Sequence, residues 1–344
     1  MARETVNLFF ACDERYLPLL GTALASLKAH RDEKRAYDAY VLHTDIHPSR
    51  AREMRHRFEE KGFSLTFRQV SREVARFVDR LHTRDYYSHA TYYRLLIPEL
   101  YPKMKKALYL DSDILLRGDV ARLFDTDLEE NLVGAVPDGF VNHLPVLRRY
   151  VENRVGIPVG VPYFNAGVLV MNLAEMRRIG FEETFVRLLS AVTFRVAQDQ
   201  DYLNVICGGR VKFLPSVWNY MPFKPAEEEP MLVHFNLDSK PWQKDGVLYE
   251  EEFWACADAL PEGVVLRERK SAYTEEDVRR AAEQTEKLIV TAIKESEETA
   301  ENRRIASLIA RLLKTEERYD ALPMRAGVCP GMPVLTKMLR ERAI

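Results

Sequence analysis

Apolar runs and helically spaced apolar stripes alternate along the first 70 residues. Val6 to Cys12 is a short apolar run bounded by polar residues, which predicts a buried strand. Pro18 then opens a stretch with Leu20, Ala23, Leu24 and Leu27 at three- and four-residue spacing, the signature of a helix. A second strand at Asp38–His43, a helix at Pro48–Lys61 and a third strand at Ser64–Val70 continue the alternation, as a parallel sheet requires. Neither GxGxxG nor GxxxxGK[ST] occurs in these residues, which argues against a dinucleotide fold or a P-loop.

From Ser88 the segment SHATYYRLLIPELYP has helical spacing at Ala90, Tyr93 and Ile97 and is stopped by prolines. It runs into Leu108-Tyr109-Leu110, a strand ending in Asp111 and Asp113. Asp119 is placed to cap a short helix, and Asn131–Pro137 reads as a strand ending at Asp138. Gly167–Leu173 is a further apolar run, preceded by Tyr163-Phe164-Asn165, and Phe181–Val192 has the pattern of a helix. Asp199, Gln200 and Asp201 open another helix, whose buried face would carry Leu203 and Ile206. Short strands are expected at Val211–Leu214 and Met231–Phe235, and the core extends to about Ala259.

Beyond it, Arg267–Lys270 reads as a charged hinge before two amphipathic helices, with apolar positions from Val278 to Ile293 and from Ile305 to Leu313. A proline- and glycine-bearing tail from Pro323 should be irregular up to a basic end at Lys337–Arg342. The division expected is a catalytic unit over 1–262, in halves 1–118 and 119–262, followed by a helical extension over 263–344.

Composition narrows this picture more than it adds to it. With 344 residues, 47% of them hydrophobic, the chain can bury a large core. Fifty basic against 52 acidic residues leave a net charge of −2 and no electrostatic case for nucleic acid. The opening MARETVNLFFACDERY lacks the apolar core of a signal peptide, and no run of 18 apolar residues occurs, so a cytoplasmic protein is expected. Cys12, Cys207, Cys256 and Cys329 show neither metal-ligand nor disulfide-framework spacing.

The candidate chemistry centres on ALYLDSDILLR. Two carboxylates at i and i+2 on the C-terminal edge of a strand repel each other unless a cation or a proton lies between them, and open α/β sheets place their ligands at such an edge. The bland alternative is a turn capped by Asp111. A phosphatase with a strand-ending aspartate nucleophile would carry different flanking residues and a motif nearer the N-terminus. His234, in HFNLDSKPW, can complete an oxygen-rich shell for Mn²⁺ or Mg²⁺, two aspartates and a histidine suiting manganese better than calcium, and Lys240 can neutralise a diphosphate. Asp199–Asp201, Asn165 and Asp138 offer the carboxylates and amides that read sugar hydroxyls. Taken singly, His234 is better read as a satisfied structural histidine and Asn165 and Asp138 as turn residues; it is together that they would line a polar cleft.

Taken in order, NLFFACDERY, TYYRLLIPEL, LYLDSDILL, YFNAGVLVMNL, QDQDYLN and HFNLDSKPW resemble glycosyltransferase family 8, the retaining, metal-dependent enzymes of GT-A fold, over about residues 6 to 260. The resemblance implies an α/β fold with a mixed, mostly parallel central sheet and a helical appendage. It implies a UDP-sugar donor, with Mn²⁺, or Mg²⁺ in its place, held by Asp111, Asp113 and His234. Ala11, Asp13 and Tyr16 would hold the uridine, Ser112 would join the nucleotide contacts, and Lys240 would meet the phosphates. Arg94, Asp138, Asn165, Asp199 and Gln200 would surround the sugar, with Asp199 and Gln200 nearest the chemistry. The implied reaction moves glucose or galactose to a hydroxyl of a glycan, lipid-linked or protein acceptor, in surface-glycan or lipopolysaccharide-type synthesis. A scaffold that keeps the fold without catalysis is the competing reading.

Two departures from the family stand out: Arg15 where Asn is common, and Leu237 where Gly is common. Leu adopts positive φ at a cost Gly avoids, so the loop there is expected to differ. Acceptor loops are expected at Leu144–Pro162 and Phe223–Glu229. The C-terminal helices could cover the core, pair two subunits, or touch the inner face of a membrane through Arg303, Arg304 and Arg311.

Overall fold

The computed structural model describes residues 4–82, 89–237, 239–297 and 299–313. Its strands are β1 (Val6–Ala11), β2 (Tyr37–His43), β3 (Phe63–Gln69), β4 (Lys106–Leu110), β5 (Ile114–Leu116), β6 (Val133–Pro137), β7 (Phe164–Asn172), β8 (Val211–Phe213) and β9 (Leu232–His234). Seven form one sheet in the order β3-β2-β1-β4-β7-β6-β8, and β5 and β9 form a separate antiparallel pair. In the large sheet only β7 runs against its neighbours, β4 and β6. The mixed, mostly parallel α/β sheet implied by the sequence is the one observed.

Period-two alternation sorts β1 between two cores. Phe9 packs with Tyr109 on one face, while Val6, Leu8 and Phe10 meet Leu20, Leu24 and Leu27 of the helix Leu17–His30 on the other. The order 2-1-4 reverses the direction of travel at β1, so the C-terminal ends of β1 and β4 open side by side onto a crevice. β7, running the other way, brings its N-terminal end to the same crevice.

Several expectations are corrected. His89–Leu96 is a 3₁₀ helix rather than an α-helix, followed by one α-turn at Ile97–Leu100 with Pro98 in its opening position. The supposed hinge Arg267–Lys270 lies inside a helix, Pro261–Ala272, that packs on Leu17–His30. Its Glu262 is buried and bonded to Arg57 at 2.5 Å, so charge density there marks an anchored helix. Leu144–Pro162 is mostly helical, at Pro145–Tyr150 and Val151–Val155, not loop. The tail from Pro323 and the basic end lie outside the described residues, as does Cys329; Cys12, Cys207 and Cys256 are free thiols. Among the described residues no helix is long and apolar enough to cross a membrane.

The two C-terminal helices are Glu275–Ser296, started by a capping box between Thr274 and Asp277, and Ala300–Leu313. They turn Leu288, Ala292, Ile305 and Ile309 into the main core. Buried Glu295 fastens them, its carboxylate lying 3.2 Å from Arg154 Nε and 3.1 Å from Arg195 Nη1, while Arg154 Nη1 donates to Asn302 at 2.8 Å. Removing one partner of a buried pair strands the other charge. Glu295→Ala is therefore expected to cost about 3 kcal/mol in a denaturant titration, and a loss below about 0.5 kcal/mol would show that this clamp is dispensable.

Candidate active site

Sheet order explains how distant segments meet. Ala11 ends β1 and Asp13 follows it; Asp111 and Asp113 follow β4. β5 pairs with β9 in a register that sets Ile114 opposite His234, carrying the histidine to the two acids. His234 Nε2 lies 3.5 Å from Asp113 Oδ1 and 3.7 Å from Asp111 Oδ2, and one ligand atom from each of the three residues falls within 4.8 Å of the others. Ala11, Asp13, Tyr16, Arg94, Ser112, Asp138, Asn165, Asp199, Gln200 and Lys240 line the same cleft as this triad. The structure thus gathers these residues but not Asp201, expected with Asp199 and Gln200 to read sugar hydroxyls: it is fully buried away from the cleft, its carboxylate engaged by Tyr150 and Tyr163.

Four residues with no sequence signal of their own make the cluster work. Gly167, on β7, is one: a Cβ there would collide with His234 Cε1 and sit 2.7 Å from Asp111 Oδ2, so only glycine leaves room between the ligands. Ala166 contributes backbone, its N–H donating to Gln200 Oε1 at 2.8 Å and its carbonyl accepting from Arg94. Gln198 is buried with a strained backbone, φ 52° and ψ −116°. Asn219 is the fourth.

Asn219 belongs to a chain of hydrogen bonds whose direction is forced from one end. Asp138 Oδ1 caps the helix Gly139–His143 through Phe140 N and Val141 N, and its Oδ2 accepts from Asn165 Nδ2 at 3.0 Å and Gln200 Nε2 at 3.1 Å. A carboxylate only accepts, so Asn165 must present its NH₂ to Asp138 and its oxygen to Asn219 Nδ2, 2.8 Å away. Asn219 must then turn its own oxygen to His234 Nδ1, at 2.9 Å. The imidazole proton is thereby fixed on Nδ1, and the Nε2 lone pair points at the two carboxylates, the arrangement a metal-ligating histidine needs. The donor set of two carboxylates and one imidazole, with Gly167 withdrawn from the space between, fits a hard or borderline divalent cation.

Arg94 braces the other side. Its guanidinium lies 3.0 Å from Asp111 Oδ1, 3.1 Å from Asp199 Oδ2 and 4.4 Å from the centre of the Tyr109 ring, whose hydroxyl donates to Asp111 Oδ1. Burial raises the Asp113 carboxyl, but the hydrogen bond and charge of His234, with Lys240, outweigh it and hold it below its ordinary value. Burial lowers the His234 pKa, and the hydrogen bond and charge of Asp113 more than restore it, so without a cation Nε2 tends to keep a proton toward Asp113, and a bound cation would take that proton's place on the Nε2 lone pair. Asp199 is pushed up to about 7 by burial, against the pull of Arg94 and with the push of Asp111.

Asp201, fully buried, accepts from Tyr150 and Tyr163 hydroxyls at 2.8 and 2.7 Å and from Ala197 N at 3.0 Å. It ties the start of the helix Asp199–Cys207 to β7. Leu237 adopts a left-handed backbone, φ 51°, a conformation that glycine takes at lower cost.

A mostly parallel sheet of this order, with a carboxylate pair after β4 and a histidine delivered by a late strand, is the GT-A fold. The chain belongs to glycosyl transferase family 8, whose model matches residues 7–246. A putative glycosyltransferase of Haemophilus influenzae is 27% identical over 220 residues, covering 64% of each chain, so this chain spans under two thirds of that relative. The lipopolysaccharide 1,3-galactosyltransferase of Salmonella typhimurium is 26% identical over 273 residues, 74% of this chain and 78% of that protein. Among solved structures, the galactosyltransferase LgtC, in complex with donor and acceptor sugar analogs, superposes with a TM-score of 0.65 at 28% identity, covering 74% of this chain and 96% of that one.

Two measurements test this construction. Asn219→Ala frees the imidazole tautomer and is expected to weaken Mn²⁺ binding, measured by calorimetry, about 10- to 100-fold; unchanged affinity would show that the hydrogen-bond chain does not set the ligand. Because burial lifts the Asp201 carboxyl to about 6, its protonated form favours folding below about pH 4, and that advantage is lost as pH rises through 6. The stability of Asp201→Asn relative to the native chain should therefore improve by up to roughly 3 kcal/mol between pH 4 and pH 7. A pH-independent difference in denaturant melts would contradict it.

Proposed function

We propose that this chain is a retaining hexosyltransferase that moves glucose or galactose from a UDP-sugar to a glycan, lipid-linked or protein acceptor, with Mn²⁺, or Mg²⁺ in its place, held by Asp111, Asp113 and His234. The observation that carries the reading is the Nε2 lone pair of His234, aimed at two carboxylates by the chain from Asp138. A divalent ion there would act as a Lewis acid on the diphosphate, neutralising charge on the leaving group. Lys240, buried in the same cleft, adds a second positive charge for the phosphates.

Ala11, Asp13, Tyr16 and Ser112 would receive the nucleoside, with Tyr16 stacking on the base; Asp13 Oδ1 accepts from Tyr16 N at 2.9 Å and so fixes that turn. Arg94, Asn165, Asp199 and Gln200 would face the sugar. Asp138, with both oxygens engaged, acts by holding Asn165 and Gln200 in place. Gln200 is gripped at both ends of its amide, which suits an oxygen that must stand near a developing oxocarbenium centre without reorganising. An amide is a poor nucleophile, so retention is assigned to attack from the face of departure, with Gln200 stabilising the positive charge. The catalytic unit on this reading is 1–262, and the helices from 263 are an extension of it.

The deciding experiment follows UDP release from UDP-glucose and UDP-galactose with Mn²⁺ and with chelator. Metal-dependent release is expected, slower by about 100-fold in Gln200→Ala. No metal-dependent release would favour a non-catalytic scaffold, and a wild-type rate in Gln200→Ala would remove that residue's role.

A further inference from the structure

The cleft has two chemically different ends. Around the carboxylates its walls carry charges and amides. Beyond Asp138 they turn apolar, with Phe140, Val141, Leu147, Val196 and Leu288. Phe140 and Val141 sit in the turn that Asp138 caps, and Leu147 in the next helix, Pro145–Tyr150. Leu288 comes from the helix Glu275–Ser296, which packs on Pro145–Tyr150 and lies wholly beyond the family-matched segment 7–246.

The same helix fixes a second wall. Glu295 lies seven residues after Leu288, two turns and roughly 10 Å along the same face, and its carboxylate holds Arg195 at 3.1 Å. Arg195 leads through Val196 to Gln198, which lines the cleft, is only 2% exposed, and has a side-chain Nε2 with no hydrogen-bond partner among the described residues. A buried amide NH₂ in that state calls for an oxygen acceptor, from ordered water or from a ligand in the cleft.

We infer that Leu288 and Gln198 determine acceptor specificity, selecting a glycoside with an apolar aglycone. Gln198 donates to an oxygen of the acceptor sugar, and Leu288, with Leu147 and Phe140, packs against the aglycone. This rests on the donor reading above, since it assigns the remaining end of the cleft once the metal-side end takes the nucleotide. A free hexose, hydroxylated all round, would leave the apolar wall wet, whereas an alkyl or aryl group would dry it.

The test compares phenyl and hexyl β-glucosides and β-galactosides with the free hexoses by calorimetry, with and without UDP and Mn²⁺. The native chain is expected to bind the glycosides about tenfold or more tightly than the hexoses. Leu288→Ala should lose most of that preference, Leu288→Met should keep it, and Gln198→Ala should weaken glycosides and hexoses alike, with melting curves confirming that each variant is folded. A stronger hexyl than phenyl glycoside identifies an alkyl aglycone, and the reverse an aromatic one. Equal binding of glycosides and hexoses by the native chain, or an undiminished preference in folded Leu288→Ala, overturns the inference. Failure to bind UDP sinks the donor reading separately, because the preference is also measured without nucleotide.

Discussion

One acceptor-only group sets the orientation of everything around it. Asp138 cannot donate, so Asn165, Asn219 and His234 each have a single consistent orientation, and the effect reaches the metal-side nitrogen of an imidazole three links away. The same carboxylate holds the Gln200 amide and caps the helix Gly139–His143. Replacing Asp138 by an amide would reopen a choice of direction at every link. Buried networks of this kind are costly when half satisfied and strongly specifying when complete.

That network depends on the sheet. Parallel β1 and β4 bring the turn with Asp13 and Tyr16 beside the carboxylate pair, and antiparallel β7 supplies Asn165, Ala166 and Gly167 from the opposite direction. The β5–β9 pair then closes the site with His234. Three strands of the large sheet and a separate β5–β9 pair are needed, which is why the residues are scattered along the chain yet meet in one cleft.

Much of this was legible in the sequence. The strand–helix alternation over 6–70 marked the parallel half-sheet because buried strands and amphipathic helices have distinct periods. Asp111 and Asp113 could be named because a carboxylate pair at a strand end calls for a cation, and His234 because it stands in one of the ordered segments that resemble the family. Asn219, Gly167 and Ala166 could not: an amide that orients a histidine looks like any loop asparagine, and a glycine required by a Cβ clash 2.7 Å from a carboxylate announces itself only in three dimensions. The helix Pro261–Ala272 was misread for a related reason. Its charges suggested exposure, yet Glu262 is buried against Arg57, a pairing between residues far apart in sequence. Leu288 carried an ordinary apolar stripe, and nothing in its spacing distinguishes a core position from one that also faces a cleft.

The late arrival of β9 has a consequence for biogenesis. On a chain made from the N-terminus, Asp111 and Asp113 emerge long before His234, and the strand that delivers it can pair with β5 only after β6, β7 and β8 have been synthesised. Until then the two acids face each other with neither imidazole nor Asn219 in place, and a cation captured at that stage would lack one of the three side chains placed to hold it. On the proposed reading, metal loading would be coupled to the late β5–β9 pairing, and a nascent or truncated chain would hold an ion less firmly than the finished fold.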